Sequence, residues 1–247
     1  MRAVQEVENI DILREFNREY ITNPYPYQVL IEGNDPRFID VGVLSRLPIG
    51  AVTSHQTAVH PSDSSRPVFG RDLLEVAIWN AGRTRKLFTL YNNHLKSNYV
   101  PADQDPIVGA RRANERRMRQ AEVVKSIVQM QMRPDSRYIV LGDMNDTPNS
   151  PCLSAMVTSP ELGLVNALSD PQETRPPKDE TSGPGPQTKV WTYRHKESGA
   201  DPEFLLYDQI WISPALVDKQ RSAMIDRRER HGGDGSDHDM AWITLEL

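Results

Sequence analysis

The chain has one cysteine, Cys152, and therefore holds no internal disulfide. A lone thiol leaves the redox compartment open. Behind Pro151 a small packed residue is a simpler reading than a thiol nucleophile. No run of eighteen apolar residues occurs, so no segment reads as a membrane-spanning helix. The opening Met-Arg-Ala-Val-Gln-Glu-Val-Glu-Asn lacks an apolar stretch of signal-peptide length. Excess basic charge is missing too. With 29 Lys and Arg against 34 Asp and Glu the formal charge is −5, which argues against nonspecific coating of nucleic acid. It does not exclude a local basic groove, because binding depends on where the cations lie. The 38% hydrophobic and 26% charged composition is that of an ordinary globular protein, and 247 residues fit one large domain or two small ones.

The stretch that organises the rest is Tyr138-Ile-Val-Leu-Gly142-Asp143-Met-Asn145-Asp-Thr-Pro148. Its apolar, β-branched start reads as a buried strand. Gly142 permits a turn or a close approach, and Pro148 ends regular structure. A carboxylate and a carboxamide thus stand at the mouth of a rigid sheet, where hard oxygen ligands are placed. Alone, the segment is equally a strand-to-turn junction, since Asp and Asn favour turns.

Capping by Asn9 or Asp11 predicts a helix to about Tyr20, with Ile10, Leu13, Phe16 and Tyr20 on its apolar face. Strands are expected over Tyr27–Ile31 and Ile39–Leu44, and a hairpin joins Leu73–Trp79 to Lys86–Tyr91. Between them lies a polar loop around His60–Arg66. Ala110–Met132 is the strongest helix, apolar along Met118, Ala121, Val124, Ile127 and Met132 and basic along Arg111, Arg112, Arg116, Arg117 and Arg119. Ser150-Pro151 starts a short helix, and residues 171–189 read as a surface loop. Strands follow over Val190–Arg194, Phe204–Ile212 and Ala241–Leu247, with a helical turn at Ser213-Pro214. Strands dominate without a βαβ rhythm and no repeat is visible. The class is α+β, two mainly antiparallel sheets face to face with helices outside.

Polar clusters stand at strand ends: Gln5-Glu6, Asn92 to Lys96, Asp143 to Asn145, and Asp237-His238. Asp208 lies inside the apolar Phe204–Ile212 run, where a buried carboxylate needs a partner such as histidine. Singly, each cluster has a bland explanation as surface, turn or satisfied polar group. Together they provide carboxylates for a hard divalent cation, imidazoles for proton transfer or phosphate contact, and amides to orient an oxyanion. A phosphodiester hydrolase needs that set.

Gln-Glu near the start, Asn-x-His-Leu-Lys-Ser, Gly-Asp-Met-Asn-Asp-x-Pro, Tyr-Asp-Gln-Ile and Ser-Asp-His, in that order, resemble the endonuclease/exonuclease/phosphatase superfamily, deoxyribonuclease I-like in fold. The resemblance runs from residue 5 to the C-terminus. It implies a single domain with a four-layered α/β/β/α sandwich and hydrolysis of phosphate esters with Mg2+ (or Mn2+). Carried over, Glu6 looks like the main metal carboxylate and Asp237 like a second ligand. Asp143 and Asn145 resemble the pair that orients the attacking water and the phosphate. His238 resembles the phosphate-contacting or proton-transferring histidine, polarised by Asp208, and His94 an acid near the leaving group. Asn92, Lys96 and Arg71 match phosphate neighbours.

The sequence departs from the family in one place. Members open with a strand ending in an asparagine beside the metal carboxylate, and here the chain starts almost at the glutamate. The expectation is an N-terminally truncated domain lacking that first strand, with an exposed edge and reduced stability. The family acts on DNA, RNA, inositol phosphates and sphingolipids, so the core does not name the substrate. The arginine-rich helix face and Trp191-Thr192-Tyr193 could serve a nucleic-acid strand, or be a solvated face and core. The readings are therefore a nuclease acting on DNA or RNA, a phosphatase or phosphodiesterase of a small or lipid phosphoester, and an inactive truncated binding module.

Overall fold

The structure, a computed structural model, describes residues 1–174, 185–195, 199–227 and 236–247. In chain order its elements are β1 (Arg2–Val7), α1 (Ile10–Glu19), β2 (Tyr27–Leu30), β3 (Asp40–Ser45), β4 (Ile49–Ser54), β5 (Leu73–Trp79), β6 (Lys86–His94), α2 (Pro106–Gln131), β7 (Tyr138–Asp143) and α3 (Ser154–Val157). They continue as β8 (Val165–Asn166), β9 (Gln172–Glu173), β10 (Tyr193–His195), β11 (Glu203–Leu205), β12 (Asp208–Ile212), α4 (Pro214–Val217), β13 (Gln220–Ile225) and β14 (Ala241–Leu245).

A six-stranded sheet, ordered β4-β5-β6-β7-β12-β8, forms the centre. Its strands are antiparallel except β6 and β7, which run parallel because α2 carries the chain across between them. Period-2 alternation gives the sheet two apolar faces. One carries Tyr91, Tyr138, Val140 and Trp211 and packs on Ala121, Val124, Ile127 and Val128 of α2 and on Met156 of α3. Burying each larger aliphatic of that stripe stabilises by about 1.5–3 kcal/mol. The other face carries Val76, Ile78, Leu90, Ile139, Ile210 and Ile212 and packs on a second β layer. That layer comes in two pieces, β1-β3-β2 and β14-β13-β9. Val41 and Val43 of the first piece and Ala223 and Ile225 of the second share one core with the central sheet. Outside the first piece, α1 buries Leu13 against Leu30 and Leu44. The layers are thus helix, sheet, sheet, helix, as expected.

Among the described residues β1 pairs with β3 alone and β14 with β13 alone. Leu141 is the inward residue of β7 nearest its C-terminal end, and it is only half-buried although β7 has strands on both sides.

Several local expectations are corrected. Phe16 and Tyr20 are exposed and stack on one another, while Asn17 is buried because its amide bonds both the N–H and the carbonyl of Tyr25. Met118 is exposed and Arg117 buried, because polar partners rather than apolar ones receive that turn of α2. The Arg117 guanidinium donates to Asp146 at 2.9 Å, Asn98 at 2.6 Å, Asn114 at 2.7 Å and the Lys96 carbonyl. Gln120 accepts from the Lys96 N–H at 2.8 Å, so α2 fastens the loop that leaves β6. Phe204–Ile212 is two strands, broken at Leu206-Tyr207, and Asp208 opens the second rather than sitting inside one. The short helix starts at Ser154, after a turn over residues 151–153, and has no side-chain cap. Strands β4, β8, β9 and β13 were not anticipated. Of these β9 falls within the loop expected over 171–189, where it pairs in parallel with β13; residues 175–184 of that loop lie outside the described residues.

Candidate active site at the ends of three strands

Register builds the site. The parallel pairing of β6 and β7 sets His94 opposite Asp143, and the antiparallel pairing of β7 and β12 sets Asp143 opposite Asp208. Three polar side chains therefore form one row across the central sheet. Gly142 makes the row possible: its φ is +131°, and a Cβ there would lie 1.8 Å from the Asn93 carbonyl oxygen. Two residues on from Asp143, Asn145 adopts φ +50°, a conformation asparagine tolerates better than most residues. Its backbone N–H donates to one Asp143 oxygen at 2.8 Å and its amide to the other at 3.0 Å. The same amide reaches the Leu95 carbonyl at 3.1 Å, which locks the two residues to the end of β6.

His94 Nε2 lies 3.3 Å from Asp143 Oδ2. Burial, reinforced by Arg71, His238 and Arg37, pushes the His94 pKa well below the ordinary histidine range. Its Nδ1 is buried with no hydrogen-bond partner among the described residues. A buried imidazole whose charged form burial disfavours thus sits directly beside Asp143. The Asp143 carboxyl is pushed up to about 7, first by burial and then by the charge of Asp208.

Asp208 holds His238 through a 2.7 Å contact between Oδ2 and Nδ1. Burial works against the imidazolium, but the hydrogen bond and charge of Asp208, with Asp143 and Asp237, outweigh it and raise the His238 pKa to about 9. Thr192 positions both partners, accepting from the Asp208 N–H at 3.0 Å and, through its carbonyl, from the Asp239 N–H at 2.7 Å. Arg227 steadies the segment further. Buried, with its guanidinium 3.8 Å from the Trp191 ring centroid, it pairs with Asp239 at 2.7 Å and Glu173 at 2.6 Å. Thr192, Arg227, Arg117 and Gln120 were not foreseen as parts of the site's frame, and nothing in the local sequence distinguishes them from neighbours of the same type.

The remaining expected residues are placed unevenly. Glu6 sits at the bulge in β1 with φ +57° and an exposed side chain. Asp237 is exposed at the rim, its Oδ1 3.9 Å from His238 Nε2. Asn92, expected beside the phosphate, is fully buried. Its amide donates to the Gly42 and Val4 carbonyls and its oxygen accepts from Gln5, so it ties β6 to β1 and β3. Arg71 is buried as well, donating to the Leu95 carbonyl at 2.8 Å and paired with Asp35 at 3.0 Å. Lys96 remains half-buried at the surface. Of the expected stacking surface, Trp191 belongs to the core against Phe204, while Tyr193 faces the site. Tyr193 stacks on Tyr207 at 5.1 Å and lies 4.7 Å from His238.

Asp143, Asp208 and His238 bring ligand-type atoms within 4.8 Å of one another, and with His238 kept charged by Asp208 it is the two carboxylates that fit a small cation. Two carboxylates this close repel, and a cation between them relieves that repulsion. Glu6 and Asp237 stand outside this group of three.

An α/β/β/α sandwich with paired Asp and His groups at the strand ends defines a phosphoester-hydrolase class of centre, and the comparisons agree. Residues 1–227 match the sequence model of the Endonuclease/Exonuclease/phosphatase family, and the chain belongs to that family. It is accordingly a phosphoesterase of a divalent-metal-dependent family. No curated protein sequence matches it. Among solved structures it is similar to an AP endonuclease from Archaeoglobus fulgidus (TM-score 0.64, 17% identity, 99% of this chain and 88% of that one). It is similar to the mannosyl-6-phosphatase of Bacteroides thetaiotaomicron (TM-score 0.62, 12% identity, 99% and 84%). It is also similar to D. rerio TDP2 complexed with single strand DNA product (TM-score 0.60, 14% identity, 99% and 85%).

Proposed function

We propose that the protein is a divalent-metal-dependent phosphodiesterase that cleaves DNA or RNA strands by in-line attack of water. The observation that carries this reading is the register row His94–Asp143–Asp208, extended to His238 by the 2.7 Å contact with Asp208. Asp143 and Asn145 orient the attacking water, and the Asp143 carboxylate takes its proton as the oxygen–phosphorus bond forms. His238, kept as an imidazolium, offers Nε2–H to a phosphoryl oxygen as the bond to the leaving oxygen breaks. The leaving oxygen collects its proton from solvent. Glu6 and the Asp143–Asp208 pair would hold Mg2+ (or Mn2+), with Asp237 at the rim, and the bound ion supplies Lewis-acid charge for the phosphoryl oxygens. The half-buried Tyr193 and Tyr207 beside His238 favour a nucleic-acid substrate, since stacked aromatics accept bases of any sequence.

The test is a hydrolysis panel of supercoiled DNA, single strands, RNA and bis-p-nitrophenyl phosphate, with metal against chelator. Metal-dependent cleavage of a nucleic acid that Glu6→Ala and His238→Ala abolish is the expected result. Cleavage of small phosphoesters alone would move the substrate to that class. If neither variant lowers hydrolysis of any phosphodiester, the catalytic assignment fails.

A further inference from the structure

Beside the catalytic row lies a groove of about 720 Å³ between α2, the loop after β6 and the loop around residue 66. Arg37, Arg66, Lys96, Arg112, Arg116 and Arg119 line it, against two lining carboxylates, Asp63 and Glu115. The acids do not neutralise the cations. Asp63 serves both Arg66, at 3.1 Å, and Arg119, at 3.8 Å. Glu115 has Arg111 4.0 Å away, outside the groove. Arg37 is held by Asp35 at 2.9 Å. Among the described residues no carboxylate lies within ion-pair distance of Lys96, Arg112 or Arg116, and Asp35 acts on Arg116 only from further away. Lys96 spends its ammonium on the Ser97 carbonyl at 2.8 Å, and Arg116 reaches only the Val68 carbonyl, at 3.4 Å.

Lys96 is half-buried at the inner end of the groove, while Arg112 and Arg116 keep exposed side chains along it. Burial, then Arg71, Arg116, Arg117 and Arg37, push the Lys96 ammonium down to about 8. Burial and the charge of Arg66 lower Arg116 in the same way. Cations gathered along one groove create a local field for an anion, despite the negative charge of the whole chain. The groove meets the loop after β6 at Lys96, two residues on from His94 of the catalytic row. From there Arg116 and Arg112 lie one turn apart on α2, about 5–6 Å between Cβ atoms. Tyr99, largely exposed, adds an aromatic face to the lining.

We infer that this groove seats the non-scissile phosphates of the strand being cut, with Lys96, Arg116 and Arg112 as successive contacts leading away from the scissile bond. The inference rests on the proposed phosphodiesterase reading and adds the direction in which the substrate runs. The shape and charge also define what the groove rejects: a substrate with a single phosphate cannot use it.

The experiment compares a dinucleotide with a dodecanucleotide of thymidine in the wild type, Arg112→Gln, and Arg112→Gln/Arg116→Gln, with Arg116→Lys as the charge-preserving variant. Melting temperatures establish that each variant is folded. Wild-type kcat/KM should rise with strand length. In the double variant the ratio of dodecanucleotide to bis-p-nitrophenyl phosphate kcat/KM should fall about tenfold or more. The slope of log binding against log salt, read by fluorescence anisotropy of the labelled dodecanucleotide with chelator present, should become shallower by about 0.7 for each phosphate that is no longer neutralised. Arg116→Lys should retain most of the slope. Length-independent wild-type kcat/KM, or an unchanged salt slope in the double variant, overturns the groove. Hydrolysis of bis-p-nitrophenyl phosphate with no oligonucleotide cleaved refutes the nuclease reading instead. Anisotropy then decides the groove separately, because salt-dependent strand binding that the variants weaken sustains it and its absence overturns it.

Discussion

Replacing Gly142 by alanine isolates the feature on which the catalytic row depends. The residue lies in β7 between β6 and β12, opposite Asn93 on one side and Gln209 on the other. At φ +131° an L side chain is strained, at about 1–3 kcal/mol. The new Cβ would also meet the Asn93 carbonyl oxygen at 1.8 Å and the carbonyl carbon at 2.9 Å. Those atoms belong to a paired backbone and cannot turn aside as a side chain would. Separating the strands adds about 1–3 kcal/mol of displacement cost. The total, roughly 2–6 kcal/mol, compares with a typical stability of about 5–15 kcal/mol. At about 2–4 °C per kcal/mol for a chain of this size, the melting temperature should fall by roughly 5–20 °C. The assay is urea and thermal unfolding with chelator present, so that release of a bound ion does not contribute, followed by bis-p-nitrophenyl phosphate hydrolysis below the transition. Hydrolysis should fall as well, because the shift moves Asp143 away from His94. A melting temperature within about 2 °C of wild type with hydrolysis retained would refute the reasoning.

Further outcomes follow from the site and its frame. In Asp208→Asn the His238 pKa should drop well below about 9, because burial remains while the hydrogen-bonded carboxylate is gone and only Asp143 and Asp237 still favour the charge; titration of the ring by NMR reads this directly. The same shift links to stability. Because the folded pKa is raised, the stabilisation is fully present below about 6.5 and is lost as pH rises through 9. Wild-type melting measured with chelator should therefore fall across that window, and Asp208→Asn should be flatter. Arg117→Ala should cost about 3–5 kcal/mol by urea unfolding, because it strands Asp146 and the Lys96 carbonyl. A loss under about 1 kcal/mol would show that the buried guanidinium is dispensable. We also propose that an added extended, alternately apolar strand pairs between β1 and β14 and covers Leu141. Joining such a strand ahead of Met1 should raise the melting temperature and the activity, and equal values with and without it would dismiss the idea.

Much of the candidate site was legible because its residues stand where strand patterns end. The β-branched run before Gly142, and the polar groups after it, could be read as a strand mouth from residue types alone. Asp208 stood out because a carboxylate in apolar surroundings demands a partner, and His238 is that partner. Arg117 was not legible. Within a run of arginines, nothing local separates the one that enters the core from those that line a groove. Asn92 and Arg71 match the motif, and the structure buries both with backbone carbonyls as partners.

The amino-acid sequence determined which side chains can hold a cation, move a proton and orient water, and it determined the alternation that buries both faces of the central sheet. These are properties of residue type and short-range order. Only the tertiary structure decided that His94, Asp143 and Asp208 share one row, since that depends on strand register. Likewise it alone decided that Lys96, Arg112 and Arg116 have no ion pair among the described residues. Charge pairing in a groove is settled by distances between segments far apart in the chain, and no local pattern encodes those distances.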